Sequence, residues 1–151
     1  MTDLELTLAN RKVLYAYLVN YSTEELNTIP PGQSNNLIWN IGHTIVIQQL
    51  LVYQLSGNKL LIPAEMVGLY NRGTIPTGTT SEAEIEMIKS LVCNTIEQTS
   101  ADLAAGKFSN YTTYQTLLGI PLEKVEDAIK FNNFHEALHL AFCLKIKKGL
   151  R

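Results

Sequence analysis

The stretch His135-Glu136-Ala137-Leu138-His139 places two histidines four residues apart. In a helix, residues four apart lie one above the other on the same face, so the two imidazole rings can chelate one metal ion. The five residues also spell the H-E-x-x-H pattern of zinc metallopeptidases, in which the glutamate acts as a general base. The stretch therefore predicts a metal site. Glu136 either acts as a base on metal-bound water or lies on the protein surface, and we expect the surface position.

The peptidase interpretation requires a third protein ligand, usually a histidine or glutamate that follows the motif. The twelve residues after His139 contain no His, Asp or Glu. The third ligand is therefore expected upstream, and His43 is the one other histidine of the chain. An H-E-x-x-H metallohydrolase is kept only as a remote alternative.

The three histidines could instead be ordinary core residues, each with its own hydrogen bond. A shared ion would satisfy three buried imidazoles at once, which favours the metal site. Three neutral histidines without a protein carboxylate describe an open site that leaves a position for water or substrate. Zinc, nickel and iron(II) all accept imidazole ligands, so the sequence predicts a divalent metal without selecting one.

Three further side chains could assist such a site. Asn40 and Asn132 each lie nearly one helical turn before a histidine, and their amides could orient the imidazole rings. Alternatively, they form hydrogen bonds between helices and have no role at the metal. Cys143 could supply a sulfur ligand, but the apolar residues on either side of it favour a packed core thiol.

Four long helices can position these residues, and no segment shows the alternation of a strand of useful length. Apolar spacing and capping residues predict helices over residues 2–21, from Ser34 or Asn35 to Gly57, from Thr80 or Ser81 to Gly106, and from Pro121 to Lys148. The connection 58–80 is long enough to be functional or partly helical. The sequence thus predicts an all-α four-helix bundle with two long connections.

The predicted second and fourth helices place the histidines on core-facing lines with alternating spacings of three and four. The line in the fourth helix is Val125, Ala128, Asn132, His135, His139, Phe142 and Ile146. The line in the second helix is Asn36, Asn40, His43, Ile47 and Leu50. A metal site would therefore join these two helices.

Composition limits the classes of function. A chain of 151 residues with 46% hydrophobic residues predicts a single domain over 1–151 that needs no disulfides. A net charge of −2 excludes a strong electrostatic footprint for nucleic acid. Cys93 and Cys143 lie in apolar helical patterns, which is typical of reduced core thiols. No signal-peptide pattern follows Met1, and the charge-free stretch 26–58 is too polar to span a membrane, so a cytoplasmic location is expected.

The segment Trp39-Asn40-Ile41-Gly42-His43 resembles the second helix of the DinB-like (DinB/YfiT) superfamily. The H-E-x-x-H stretch near the C-terminus resembles the last helix of that family. Residues 70–76, Tyr-Asn-Arg-Gly-Thr-Ile-Pro, are similar to the Gly-Thr-x-Pro loop that often precedes its third helix. The resemblance spans nearly the whole chain. It implies a four-helix bundle in which His43, His135 and His139 hold a divalent metal.

The family also implies a function. Its characterised members include metal-dependent S-transferases that use low-molecular-weight thiols such as bacillithiol or mycothiol, and an isomerase; homodimers are common. The resemblance therefore implies a metal-dependent thiol transferase that acts on a small molecule and forms a homodimer. The alternative is a non-catalytic metal-binding or stress-response bundle, in which a structural ion ties the second helix to the fourth.

Overall fold

A computed structural model describes residues 1–150. The helices are α1 (Asp3–Asn20), α2 (Thr23–Asn27), α3 (Leu37–Gln49), α4 (Ala64–Tyr70), α5 (Glu82–Ala104) and α6 (Val125–Gly149), and Leu50–Gln54 continues α3 as a π-helical turn. Strands β1 (Tyr114–Gln115) and β2 (Pro121–Leu122) form a two-residue antiparallel pair. The long helices α1, α3, α5 and α6 pack against one another. The predicted all-α fold is confirmed.

Side-chain caps begin three of the long helices. Thr2 caps α1 by accepting from the backbone N–H of Glu5, whose carboxylate accepts from the backbone N–H of Thr2. Asn36 caps α3 by accepting from the backbone N–H of Trp39 at 2.9 Å. Ser81 caps α5 in the same manner. These contacts satisfy amide groups that the first turn of a helix leaves without a partner.

Two helices begin later than predicted. Helix α6 begins at Val125 rather than Pro121, because Pro121 belongs to β2 and pairs with β1. Helix α3 follows Asn36 as its cap, rather than Ser34 or Asn35. The long connection 58–80 contains α4, in agreement with the prediction that it is partly helical.

Helices α4 and α3 approach each other closely next to the site. The ring of Tyr70, the last residue of α4, lies directly over Gly42 of α3. A Cβ atom on Gly42 would lie 2.6–2.8 Å from this ring, so only glycine fits there. The contact holds the end of α4 against the middle of α3.

The inward face of α6 agrees with the predicted one at five of seven positions, because Val125, Ala128, Asn132, His139 and Ile146 are buried. Phe142, which was predicted to lie in the core, is 47% exposed, whereas Cys143 is fully buried. The buried residues of α6 also include three that the predicted line lacks: Ile129, Glu136 and Cys143. The prediction that Cys143 is a packed core thiol is confirmed. Across residues 1–150, no helix is long and apolar enough to cross a membrane.

Candidate metal centre

His43 of α3 meets His135 and His139 of α6. One ring nitrogen from each histidine lies within 4.8 Å of the other two. Nε2 of His43 is 3.2 Å from Nε2 of His135. Two imidazole nitrogens bound to a tetrahedral zinc ion at about 2.0–2.1 Å would lie about 3.3–3.4 Å apart. The spacing between His43 and His135 therefore fits a shared divalent ion, and a ring nitrogen of His139 lies within 4.8 Å of both.

The end of α4 selects the tautomer of His43. Nδ1 of His43 lies 2.7 Å from the carbonyl oxygen of Tyr70. A carbonyl oxygen only accepts, so Nδ1 carries the proton and donates it, and the lone pair is on Nε2. Nε2 is the atom that faces His135. The contact between α4 and α3 thus leaves His43 in the form that can bind a metal.

Asn40 selects the tautomer of His139. Its side-chain orientation is fixed because Nδ2 donates to Oδ1 of Asn35 and to the carbonyl oxygen of Asn36. Oδ1 of Asn40 therefore accepts, and Nδ1 of His139 donates to it at 2.9 Å. The lone pair of His139 is left on Nε2. Asn40 thus orients His139 of α6. It does not orient His43, which lies nearly one turn further along α3.

His135 is held differently. Its Nε2 faces His43, and its Nδ1 is buried and finds no hydrogen-bond partner within residues 1–150. Asn132, nearly one turn earlier, donates from its Nδ2 to Glu136 at 2.7 Å and forms no hydrogen bond with this ring over the same range of residues. The Oδ1 atom of Asn132 is also buried without a partner in the described part of the chain. Of the two roles considered for Asn132, neither a hydrogen bond to an imidazole nor one to another helix forms within residues 1–150.

The surroundings keep the three imidazoles neutral. Desolvation lowers the pKa of His43. Desolvation, together with the neighbouring histidines, lowers the pKa of both His135 and His139 to about 3. Trp39 stacks on the His43 ring, with 4.7 Å between the ring centroids. Neutral imidazoles keep the lone pairs that a metal needs, so protonation does not compete with binding near neutral pH.

Glu136, which lies between the two histidines in the sequence, is fully buried. Its Oε1 accepts from Nη2 of Arg11 at 2.8 Å, and its Oε2 accepts from Nε of Arg11 at 2.9 Å. The expected surface position of Glu136 is wrong, because α1 supplies a buried cation that pairs with it. Both carboxylate oxygens are engaged, and this geometry does not support the role of a metal-site base.

Arg11 is the residue that the sequence interpretation missed. Its fully buried guanidinium also donates to the carbonyl oxygens of Val92 at 3.0 Å and Thr44 at 2.9 Å. One side chain of α1 therefore contacts α3, α5 and α6. A signal was present in the sequence, since Arg11 shares the three-and-four spacing of the buried residues Thr7, Leu14 and Leu18.

A cavity of about 510 Å³ lies beside His43 and His135. Its volume falls within the range of about 300–1,000 Å³ that is typical of small-molecule sites. Most of its walls are apolar side chains from α3, the π-helical turn, α6 and the segment after β1: Ile47, Leu50, Leu51, Leu55, Leu117 and Phe131. The histidine cluster is thus accessible to a small molecule on one side.

These features define a helical bundle with a candidate three-histidine metal site beside a cavity of about 510 Å³. The family model described as the DinB superfamily matches residues 6–143, from α1 to near the end of α6. The match includes His43, His135 and His139. The chain belongs to the DinB superfamily, which confirms the resemblance seen in the sequence. None of the curated proteins compared with the chain matches it.

Proposed function

We propose that His43, His135 and His139 bind one divalent metal ion, and that the protein is a metal-dependent enzyme of the thiol S-transferase type. The observation that carries this proposal is the convergence of three neutral imidazoles at the wall of a cavity of about 510 Å³. Zinc, nickel and iron(II) are the metals that suit an imidazole site of this kind. One substrate is a low-molecular-weight thiol, and the other is a small electrophile of a size that the cavity accepts.

Each part of the site has a defined role in this proposal. Tyr70 and Asn40 hold the Nδ1–H groups of His43 and His139, so that Nε2 of each ring is free to bind the ion. Three protein ligands leave a coordination position open. A bound divalent ion would lower the pKa of a coordinated thiol, so that the thiolate forms at neutral pH. The apolar walls hold the carbon skeleton of the electrophile.

A conjugation assay tests the enzyme proposal. A panel of low-molecular-weight thiols is mixed with 1-chloro-2,4-dinitrobenzene, in which the thiolate sulfur displaces chloride and forms a coloured thioether. We expect metal-dependent turnover with at least one thiol, and its loss both in chelator and in His43→Ala. Lys145→Ala, an exposed change on α6, is the control and should keep the activity. No metal-dependent turnover with any thiol would contradict the proposal.

The alternative is a non-catalytic bundle in which the ion ties α3 to α6. It is favoured by the origin of the ligands, since His43 lies on one helix and the other two histidines on another. Removal of a structural ion should lower the free energy of unfolding by several kcal/mol. A large effect of chelator on unfolding, together with no turnover, would support this alternative. Unfolding that is the same with and without chelator would contradict it.

We also propose that the chain forms a homodimer through the outer face of α6. Phe134, Leu138 and Phe142 lie on this face at spacings of four, and each is between 45% and 48% exposed. Apolar side chains in a row on a surface are typical of an interaction site. Light scattering should give twice the mass of the chain, and Leu138→Lys should give the mass of the monomer. A monomeric wild-type protein at micromolar concentration would contradict the proposal.

A further inference from the structure

Arg72 is the one charged side chain among the residues that line the cavity beside His43 and His135. It forms no ion pair within residues 1–150. Within residues 1–150, no Asp or Glu side chain lines the cavity. The guanidinium therefore gives the cavity a positive charge that no protein anion neutralises.

The loop that carries Arg72 is fixed against α3 on both sides of this residue. On one side, the carbonyl oxygen of Tyr70 accepts from His43 at 2.7 Å. On the other side, the hydroxyl of Thr74 accepts from Nε1 of Trp39 at 3.1 Å. A loop that is already fixed loses less conformational entropy when its side chain binds a ligand. Arg72 is thus attached to the same helix as the first histidine of the cluster.

The remaining walls contribute little charge and much apolar surface. Leu50, Leu51 and Phe131 line the cavity together with three other large aliphatic side chains. The cavity therefore combines the imidazoles, the apolar walls, one guanidinium and four uncharged polar side chains: Gln54, Asn71, Tyr114 and Thr116. A ligand that matches the apolar walls and the guanidinium has an apolar body and a negatively charged group. A ligand with a positive charge would be repelled by Arg72.

We propose that this cavity binds a small organic acid, with its carboxylate on Arg72 and an aliphatic or aromatic body against the apolar walls. A guanidinium can donate two parallel hydrogen bonds to a carboxylate, which gives both affinity and orientation. His43 and His135 line the same cavity as Arg72, so an acid held on Arg72 shares this space with the histidines. The inference rests on the proposed function in that it assigns the substrate class of the same site.

Calorimetric titration of the purified protein tests this inference with three acids and their primary amides: phenylacetate, 4-phenylbutyrate and 4-cyclohexylbutyrate. At least one acid should bind wild type about tenfold more tightly than its amide. This difference should disappear in Arg72→Gln and remain in part in Arg72→Lys, which keeps the charge but not the paired donors. Lys59→Gln removes an exposed cation that does not line the cavity, and it should keep the full difference. Because Arg72 is exposed, its variants should melt like wild type.

Three results would overturn the inference: no binding of any acid, equal affinity for acids and amides, or a preference for acids that survives in Arg72→Gln. A preference that survives in Arg72→Gln but is lost in His43→Ala would place the carboxylate at the histidines, and it would overturn the inference too. Metal content measured on the same samples separates the two proposals. A metal-free protein that prefers acids contradicts the metal centre alone, whereas a metal-bound protein without this preference contradicts the role of Arg72 alone.

Discussion

His135 and Glu136 are neighbours in α6, yet they belong to two polar clusters of opposite character. The histidine cluster, His43 with His135 and His139, lies at the wall of a cavity and presents nitrogen lone pairs to one point. The ion-pair cluster, Arg11 with Glu136, is fully buried, and its charged atoms are bonded to protein groups. Successive residues of a helix are about 100° apart, so one turn can serve both clusters. One cluster is open to a ligand, and the other is closed by the protein itself.

The closed cluster also supports the backbone that carries the open one. Arg11 donates to the carbonyl oxygen of Thr44, the residue after His43, and it pairs with Glu136, the residue after His135. We therefore expect changes in the ion-pair cluster to lower stability first. Changes in the histidine cluster should lower metal affinity first.

The largest effect is expected for Glu136→Ala, which leaves the guanidinium of Arg11 buried without its anion. Removal of one partner of a buried ion pair costs about 3–5 kcal/mol in the free energy of unfolding. Urea unfolding in the presence of chelator measures this loss without a contribution from metal. The double variant Arg11→Met with Glu136→Leu should recover most of it, because neither charge is then left alone. A loss below about 1 kcal/mol for Glu136→Ala would show that the pair is not closed to water.

Gly42→Ala should affect both clusters, because Gly42 lies on α3, the helix that carries His43 and accepts a hydrogen bond from Arg11. Its Cβ would lie 2.6–2.8 Å from the Tyr70 ring, and overpacking of this kind costs about 1–3 kcal/mol. The displaced Tyr70 would also release the Nδ1–H of His43, so metal affinity should fall. Gly68→Ala in α4 is the matched control, because its Cβ would meet nothing within 4 Å. Equal stability and equal metal affinity in the two variants would contradict the role of this contact.

Substitutions of two asparagines, one at each cluster, should distinguish an effect on metal affinity from an effect on stability. Asn40→Ala removes the acceptor for Nδ1–H of His139, and loss of such a partner typically lowers metal affinity by about 10–100-fold. Asn132→Ala removes a donor to Glu136, so it should lower stability and leave metal affinity nearly unchanged. Competition titrations with a metal indicator, combined with urea unfolding, measure both quantities. A larger loss of metal affinity in Asn132→Ala than in Asn40→Ala would reverse the assignment.

The smallest effect is expected at Cys143, one turn after His139. Burial raises the pKa of this thiol to about 12, so very little thiolate is present at pH 8. Iodoacetamide should therefore modify Cys143 in the folded protein more slowly than the half-buried Cys93, and both should react in urea. Cys143→Ala should keep the metal stoichiometry of wild type. Loss of metal in this variant would make the sulfur a ligand and contradict a purely structural role.

The open cluster could be predicted from the sequence because its signals are local. The spacing of four between His135 and His139 is a property of one helix, and the apolar line through His43 is a property of another. The caps at Thr2 and Ser81 also depend on residues within one turn. Such patterns indicate which face of a helix is inward to within about one residue, or 100°. That margin explains why Phe142 was expected in the core together with Cys143, whereas Phe142 is 47% exposed and Cys143 is buried.

The spacing of Arg11 along α1 indicates an inward position, but its pairing with Glu136 could not be predicted in the same way. Arg11 and Glu136 are 125 residues apart, and by residue type each alone would be expected at the surface, because charged residues are rarely buried without a partner. Only the packing of α1 against α6 brings the partners together. The same holds for Asn40 and His139, which are 99 residues apart. Sequence spacing finds residues that share a helix, but it does not find the pairs that form between helices.

A metal titration of chelator-treated protein tests the central claim most directly. Zinc and nickel are each titrated into wild type, His43→Ala, His135→Ala and His139→Ala, with folding checked by circular dichroism. Wild type should bind about one ion per chain, and each histidine variant should bind at least about 100-fold more weakly. A folded wild-type protein that binds neither ion, or histidine variants that bind as tightly as wild type, would contradict the three-histidine metal centre.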